Sequence, residues 1–186
     1  MKKIVYWTTG VMAASIAAVV STSAMSAQDK YSLKVPNGLA MSEFKGYEGW
    51  QTISVSLDGG RFAVILGNLA MINAYKAGIP DNGKPFPDGA KIAKIHWIPK
   101  TSEAVPGQPL VPETLHDADF MVKDSKRFAD SGGWGYGAFE YDGATETFRI
   151  GTGTDKPPQA NDAKCGASCH TAAKTRDYVF TAYGKR

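Results

Sequence analysis

Apolar and polar positions alternate along several short stretches of this chain, and those stretches set its predicted architecture. In the run that starts at Trp50, Ile53, Val55 and Leu57 fall on one side and Thr52, Ser54 and Ser56 on the other. A period of two marks a half-buried strand. Asp58-Gly59-Gly60 is a strong hairpin turn, and residues 61–66 supply the returning strand. Asn68 is placed to cap a short helix over residues 69–77, which Gly78 can end. Residues 90–98 alternate again, with Ile92, Lys94, His96 and Ile98 on one face and Lys91, Ala93, Ile95 and Trp97 on the other.

Between these segments the proline- and glycine-rich stretch 79–89 reads as a loop, and the proline-rich stretch 101–112 as a second loop on the surface. Residues 117–123 form a further strand, followed by a polar, helix-like turn over 125–129. Residues 134–141 and 147–150 make a second hairpin through Asp142-Gly143. A loop over 151–159 leads to a last helix, capped by Asp162 and running to about Arg176. Residues 28–49, with Pro36, Gly38 and Gly46 among scattered charges, read as an irregular lead-in. The expected fold is α+β: a mainly antiparallel β-sheet with short helices on one face and a C-terminal helix that carries two cysteines.

The first 27 residues stand apart. Lys2 and Lys3 precede an apolar run over residues 4–20, and small residues follow toward Gln28. This is the pattern of a cleaved export signal. A membrane anchor would need about 20 strongly apolar residues, and this run is broken by Thr8, Thr9 and Ser15. Residues 28–186 then form a single domain large enough for a real core. Loss of the two leader lysines takes the formal charge from +3 to +1, so composition gives no case for nucleic-acid binding. The expected address is a periplasm, with no membrane attachment after cleavage.

Export gives meaning to Lys164-Cys165-Gly166-Ala167-Ser168-Cys169-His170, which holds both cysteines and one of the three histidines of the chain. Two thiols closed by an adjacent imidazole are the requirement for covalent c-type haem: the thiols add to the porphyrin vinyl groups and the histidine reaches the iron. The usual spacing has two residues between the cysteines, and here there are three. In a helix, Cys165 and Cys169 still project from one face about a turn apart. Three other readings stay open: a zinc site, with His96 or His116 as a fourth ligand, a disulfide across one helical turn, and a redox-active thiol pair.

Three blocks of sequence carry a wider resemblance. The first is Cys169-His170 followed by Asp177-Tyr178-Val179-Phe180-Thr181. The second is Phe86-Pro87-Asp88-Gly89 with Lys94 five residues on, and the third is Val122-Lys123-Asp124-Ser125-Lys126-Arg127-Phe128-Ala129. Together they cover most of residues 50–183, and in this the chain resembles the cytochrome P460 family of periplasmic mono-haem cytochromes, relatives of the β form of cytochrome c′. The resemblance implies haem c on Cys165 and Cys169, His170 as the proximal iron ligand and an exchangeable distal position. It also implies a homodimer.

In members that oxidise hydroxylamine a lysine is bonded to the porphyrin rim, and Lys94 stands at that position. Alternation puts it with Ile92 and Ile98, which favours an inward side chain over a solvated one. Such members also hold a carboxylate over the distal iron face. Counting back from the third block gives Asp119, where the family pattern has a glutamate. The residues alone leave Asp119 equally readable as an exposed acid beside Asp117. Met121 shares its face and is an alternative axial ligand. Phe120 faces the other way, toward a core. Trp97, Trp134, Tyr136 and Phe139 are candidates for core or dimer interface. Arg127, Lys174 and Arg176 are candidates for pairing with haem propionates. Three functions follow: oxidation of a small nitrogen substrate such as hydroxylamine, with electrons passed to a partner cytochrome; capture of a gas such as nitric oxide; and simple electron transfer.

Overall fold

The structure is a computed structural model that describes residues 28–35, 38–151 and 162–185. The expected export signal lies outside the described residues, as does nearly all of the loop expected over 151–159. Six strands form one antiparallel sheet in chain order: β1 (Gln51–Asp58), β2 (Arg61–Gly67), β3 (Lys91–Thr101), β4 (Leu110–Lys123), β5 (Trp134–Asp142) and β6 (Thr147–Ile150). Helix α1 (Leu69–Lys76) follows β2, and α2 (Asp162–His170) follows the sheet. This is the mainly antiparallel α+β fold that the alternation predicts. Among the described residues no helix is long and apolar enough to cross a membrane.

Local chemistry places the elements. The Gly59-Gly60 pair turns β1 into β2 with φ of 54° and 77°, a left-handed conformation that costs glycine little. The Asn68 side chain accepts the Met71 backbone N–H at 3.0 Å and so caps α1. The same carboxamide oxygen accepts Lys91 N–H at 3.0 Å, which ties the helix start to the first residue of β3.

The sheet divides two environments. Over one face lies the lead-in, which is built of three short 3-10 helices, Lys30–Ser32, Met41–Phe44 and Tyr47–Gly49. It buries Val35, Leu39, Met41 and Phe44 to 1% exposure or less. Phe44 stacks on Phe120 at 4.3 Å, with Tyr47 and Phe139 edge-on to Phe120 at 5.1 and 5.8 Å. Each such ring contributes roughly 1.5–3 kcal/mol through burial. Phe120 therefore belongs to the core, as its strand position predicts. The two α-helices lie on the other face.

Two expectations change. The stretch expected as a surface loop over 101–112 is partly strand, because β3 runs on to Thr101 and β4 already starts at Leu110. Here β3 and β4 extend past their outer neighbours as a two-stranded ribbon, with Pro99 opposite Pro112 at a register shift. A ribbon open at both edges tolerates proline, whose missing N–H faces solvent. The last helix is shorter than expected: α2 ends at His170 and a 3-10 segment, Thr171–Arg176, continues with non-helical backbone at Ala173.

A candidate haem cavity between the sheet and the C-terminal helix

Strand register assembles one wall of a cavity. Ser54 pairs with Ile65, Ile65 with Lys94, Lys94 with Asp119 and Asp119 with Ala138. One row over, Ile92 pairs with Met121 and Met121 with Tyr136. All eight residues line a cavity of about 810 Å³. Gly166, Cys169 and His170 of α2 close the facing wall, with Val179, Phe180, Thr181 and Ala182 beside them. That volume lies within the roughly 300–1,000 Å³ typical of cofactor sites.

Helix α2 lies close against β5 because residue 166 is glycine. A Cβ there would sit 2.1 Å from Cγ of Tyr136, well inside van der Waals contact. Cys169 carries an exposed free thiol on the cavity. The backbone of Cys165 lies four residues earlier in the same helix, and its side chain is outside the described positions.

His170 is held from behind. Its Nδ1 donates to the carbonyl oxygen of Tyr178 at 2.7 Å, which leaves Nε2 as the free acceptor. Burial lowers its pKa, aided by the Lys94 charge and opposed by the bond to Tyr178, so the imidazole is neutral, as a metal ligand must be. The rings of Tyr136 and Phe180 flank it at 4.9 and 5.0 Å. Tyr178 and its neighbour Asp177 both adopt the left-handed region, with φ of 64° and 50°.

On the sheet wall Asp119 has its carboxyl pushed up to about 6. Burial is the main cause and the nearby Asp117 carboxylate the second, while His96, Lys94 and His116 oppose them. The Asp119 side chain keeps 44% of its surface accessible, so an occupant of the cavity would strengthen the shift by excluding water. Asp117 behaves in the opposite way. Burial disfavours its charge, but hydrogen bonds from Nδ1 of His96 and Nδ1 of His116 outweigh burial and hold its carboxyl below the usual range. A bulge makes this possible: Asp117 pairs with His96 and Leu115 with Trp97, which leaves His116 as the extra residue.

The donor set fits a c-type haem. A thiol and a neutral imidazole with its second nitrogen tied back face one largely apolar cavity. Tyr136 adds a buried hydroxyl that has no hydrogen-bond partner among the described residues, and burial, then Tyr178 and Asp177, raise its pKa. An occupant with polar edges would supply that partner. Tyr136 is buried in the core at 6% exposure, as expected, and also lines the cavity, where its pairing with Met121 places it. Trp134 and Phe139 are core, each 0% exposed.

Arg127 and Arg176, candidates for haem propionates though surface solvation is the more common fate of such residues, do not line the cavity. Arg127 pairs with Glu43 at 2.7 Å and also bonds Gly38 O at 3.0 Å, while Arg176 pairs with Asp81 at 2.8 Å. Lys174 does not line the cavity either. The two arginines find carboxylates 84 and 95 residues away in the chain, which nothing in their sequence neighbourhood announces.

Residues 44–181 match the family model described as Cytochrome P460. A search of curated proteins found no match.

Proposed function

The chain belongs to the cytochrome P460 family, whose members bind haem, and on that premise we propose that it is an exported c-type cytochrome that oxidises a small nitrogen compound of the hydroxylamine class. The observation that carries this reading is that Lys94 and Asp119, cross-strand partners, line the same cavity as Cys169 and His170.

In this reading Cys165 and Cys169 carry the thioether bonds, and His170, neutral and tied to Tyr178, offers Nε2 to the iron. A haem so held would supply redox-active iron chemistry, able to withdraw electrons from a small nitrogen compound. The chain's own groups handle protons and water. Asp119 accepts protons that hydroxylamine must shed as electrons leave, and its raised proton affinity suits that task near neutral pH. Ile65, Ile92 and Val179 keep the surroundings apolar. Lys94, beside Asp119, is the residue placed to bond the porphyrin rim. Electrons leave to a partner cytochrome in the compartment to which residues 1–27 direct the chain.

A second reading rests on Met121, which lines the same cavity one row from Asp119. With Met121 as the second axial ligand the protein would carry electrons and bind no substrate. Peptide mass spectrometry and the ferrous absorption spectrum, after expression with a haem-attachment system, separate the two. Haem on Cys165, Cys169 and Lys94, with a red-shifted ferrous Soret band, is expected for the enzyme. Thioether-only haem with a low-spin spectrum would identify the carrier. A product without haem absorption would end both readings.

A further inference from the structure

The three sequence blocks that are far apart in the chain meet at one carboxylate behind His170. Asp177, from the first block, accepts the Phe86 backbone N–H of the second at 2.8 Å. It also accepts Lys123 Nζ of the third at 2.7 Å on Oδ1 and 2.9 Å on Oδ2. Lys123 is only 5% exposed. Its ammonium has a further acceptor in Gly132 O at 2.9 Å and lies 5.1 Å from the centroid of the Trp134 ring. A buried lysine costs several kcal/mol to desolvate unless it is fully partnered, and here the one charged partner is Asp177, in the turn that follows His170.

That turn is strained. Left-handed backbone at a non-glycine residue costs roughly 1–2 kcal/mol, and Asp177 and Tyr178 adopt it in succession. Its product is the direction of one carbonyl, that of Tyr178, which receives His170 Nδ1–H. The Tyr178 ring is seated over Gly132, where a Cβ would lie 2.1 Å from ring Cε2. The neighbouring Asp88 carboxylate, also of the second block, accepts Ser125 N–H and Oγ–H of the third at 2.8 and 2.7 Å and braces the same region.

We propose that Asp177, clamped by Lys123 and the Phe86 N–H, is a positioning residue for the haem ligand: it aims the Tyr178 carbonyl at His170 and so sets the orientation and electron donation of the imidazole. A firmer hydrogen bond from Nδ1–H gives Nε2 more imidazolate character, strengthens its bond to iron and favours the ferric state. The inference rests on His170 being the proximal ligand.

The test uses the haem-loaded protein and reads the iron–imidazole stretching band of the ferrous form by resonance Raman, together with the midpoint potential. Asp177→Asn keeps an acceptor for Phe86 N–H and tolerates left-handed backbone, but it loses the charge that holds Lys123. The iron–imidazole band should fall in frequency and the midpoint potential should rise. Lys123→Met should shift both in the same direction, and Lys123→Arg should lie nearer the original protein. If Asp177→Asn does not fold, the two Lys123 variants carry the test. Folded variants whose band and potential stay at the original values would overturn the positioning role alone. A five-coordinate ferrous starting protein without an iron–imidazole band would overturn the ligand assignment, and the positioning role with it; in a six-coordinate starting protein the midpoint potentials of the variants carry the test.

Discussion

Asp119 and Lys94 are directly opposite each other across the β3–β4 ladder, a carboxylate beside an amine on one wall of the cavity that His170 faces. This pairing puts a proton acceptor and a candidate porphyrin-bonding group within one cross-strand step, about 4.5–5.5 Å between Cβ atoms.

If Asp119 takes the substrate's protons, Asp119→Asn keeps the shape of the wall and removes the base. Turnover of hydroxylamine should fall by about two to four orders of magnitude, with haem content unchanged. Steady-state kinetics at saturating substrate checks this, and turnover at the original rate would remove Asp119 from the mechanism.

The pH dependence follows from the raised carboxyl. A base works only when ionised, so turnover should fall as pH drops through about 6. Asp117→Asn removes the neighbouring negative charge, which is the second cause of the shift. The acidic limb should therefore move to lower pH, though burial, the larger cause, keeps it above the range of a free aspartate. A pH–rate profile of the variant reads this directly.

The same raised carboxyl has an opposite consequence for stability. Its folded pKa lies above its unfolded one, so ionisation at neutral pH works against the fold, and the penalty disappears as pH falls below the unfolded value. Asp119→Asn should thus melt at a higher temperature than the original protein near pH 7 and lose that advantage near pH 4. Thermal unfolding at the two pH values tests the sign.

Gly166→Ala isolates the approach of α2 to the sheet. Alanine favours a helix over glycine by about 1 kcal/mol, but its Cβ would meet the Tyr136 ring at 2.1 Å. Overpacking of this kind costs about 1–3 kcal/mol, so the substitution should destabilise and lower haem incorporation. A gain in melting temperature with full incorporation would show that α2 has room to move.

On the far face of the sheet, Phe44→Ala should cost about 3–5 kcal/mol, because the ring is 0% exposed and stacked on Phe120. Denaturant unfolding measures the loss. The 3-10 segment around Phe44 should lose amide protection first in hydrogen exchange, since its attachment depends on that ring.

Much of this was legible along the chain, because a strand's period of two is a local property. Alternation alone separates Lys94 and Met121 from Ala93 and Phe120; in the structure Lys94 and Met121 line the cavity, while Ala93 is 0% exposed and the Phe120 ring stacks on Phe44 on the far face. The hairpin at Gly59-Gly60 and the Asn68 cap are equally local, and so is the cysteine–histidine stretch as a candidate site for haem.

What only the tertiary structure decided is how distant segments meet. Register brought Asp119 opposite Lys94, and a one-residue slip would have sent one of them to the other face. The extension of β4 back to Leu110 depends on β3 offering a partner beyond Pro99, which no window of sequence contains. Arg127 and Arg176 went to Glu43 and Asp81 because long charged side chains take whichever partner folding leaves within reach. Asp177 is the sharpest case. Its role depends on Phe86, Lys123 and Tyr178 together, and electrostatic and hydrogen-bond contacts act through a few ångströms of space, whatever the separation along the chain.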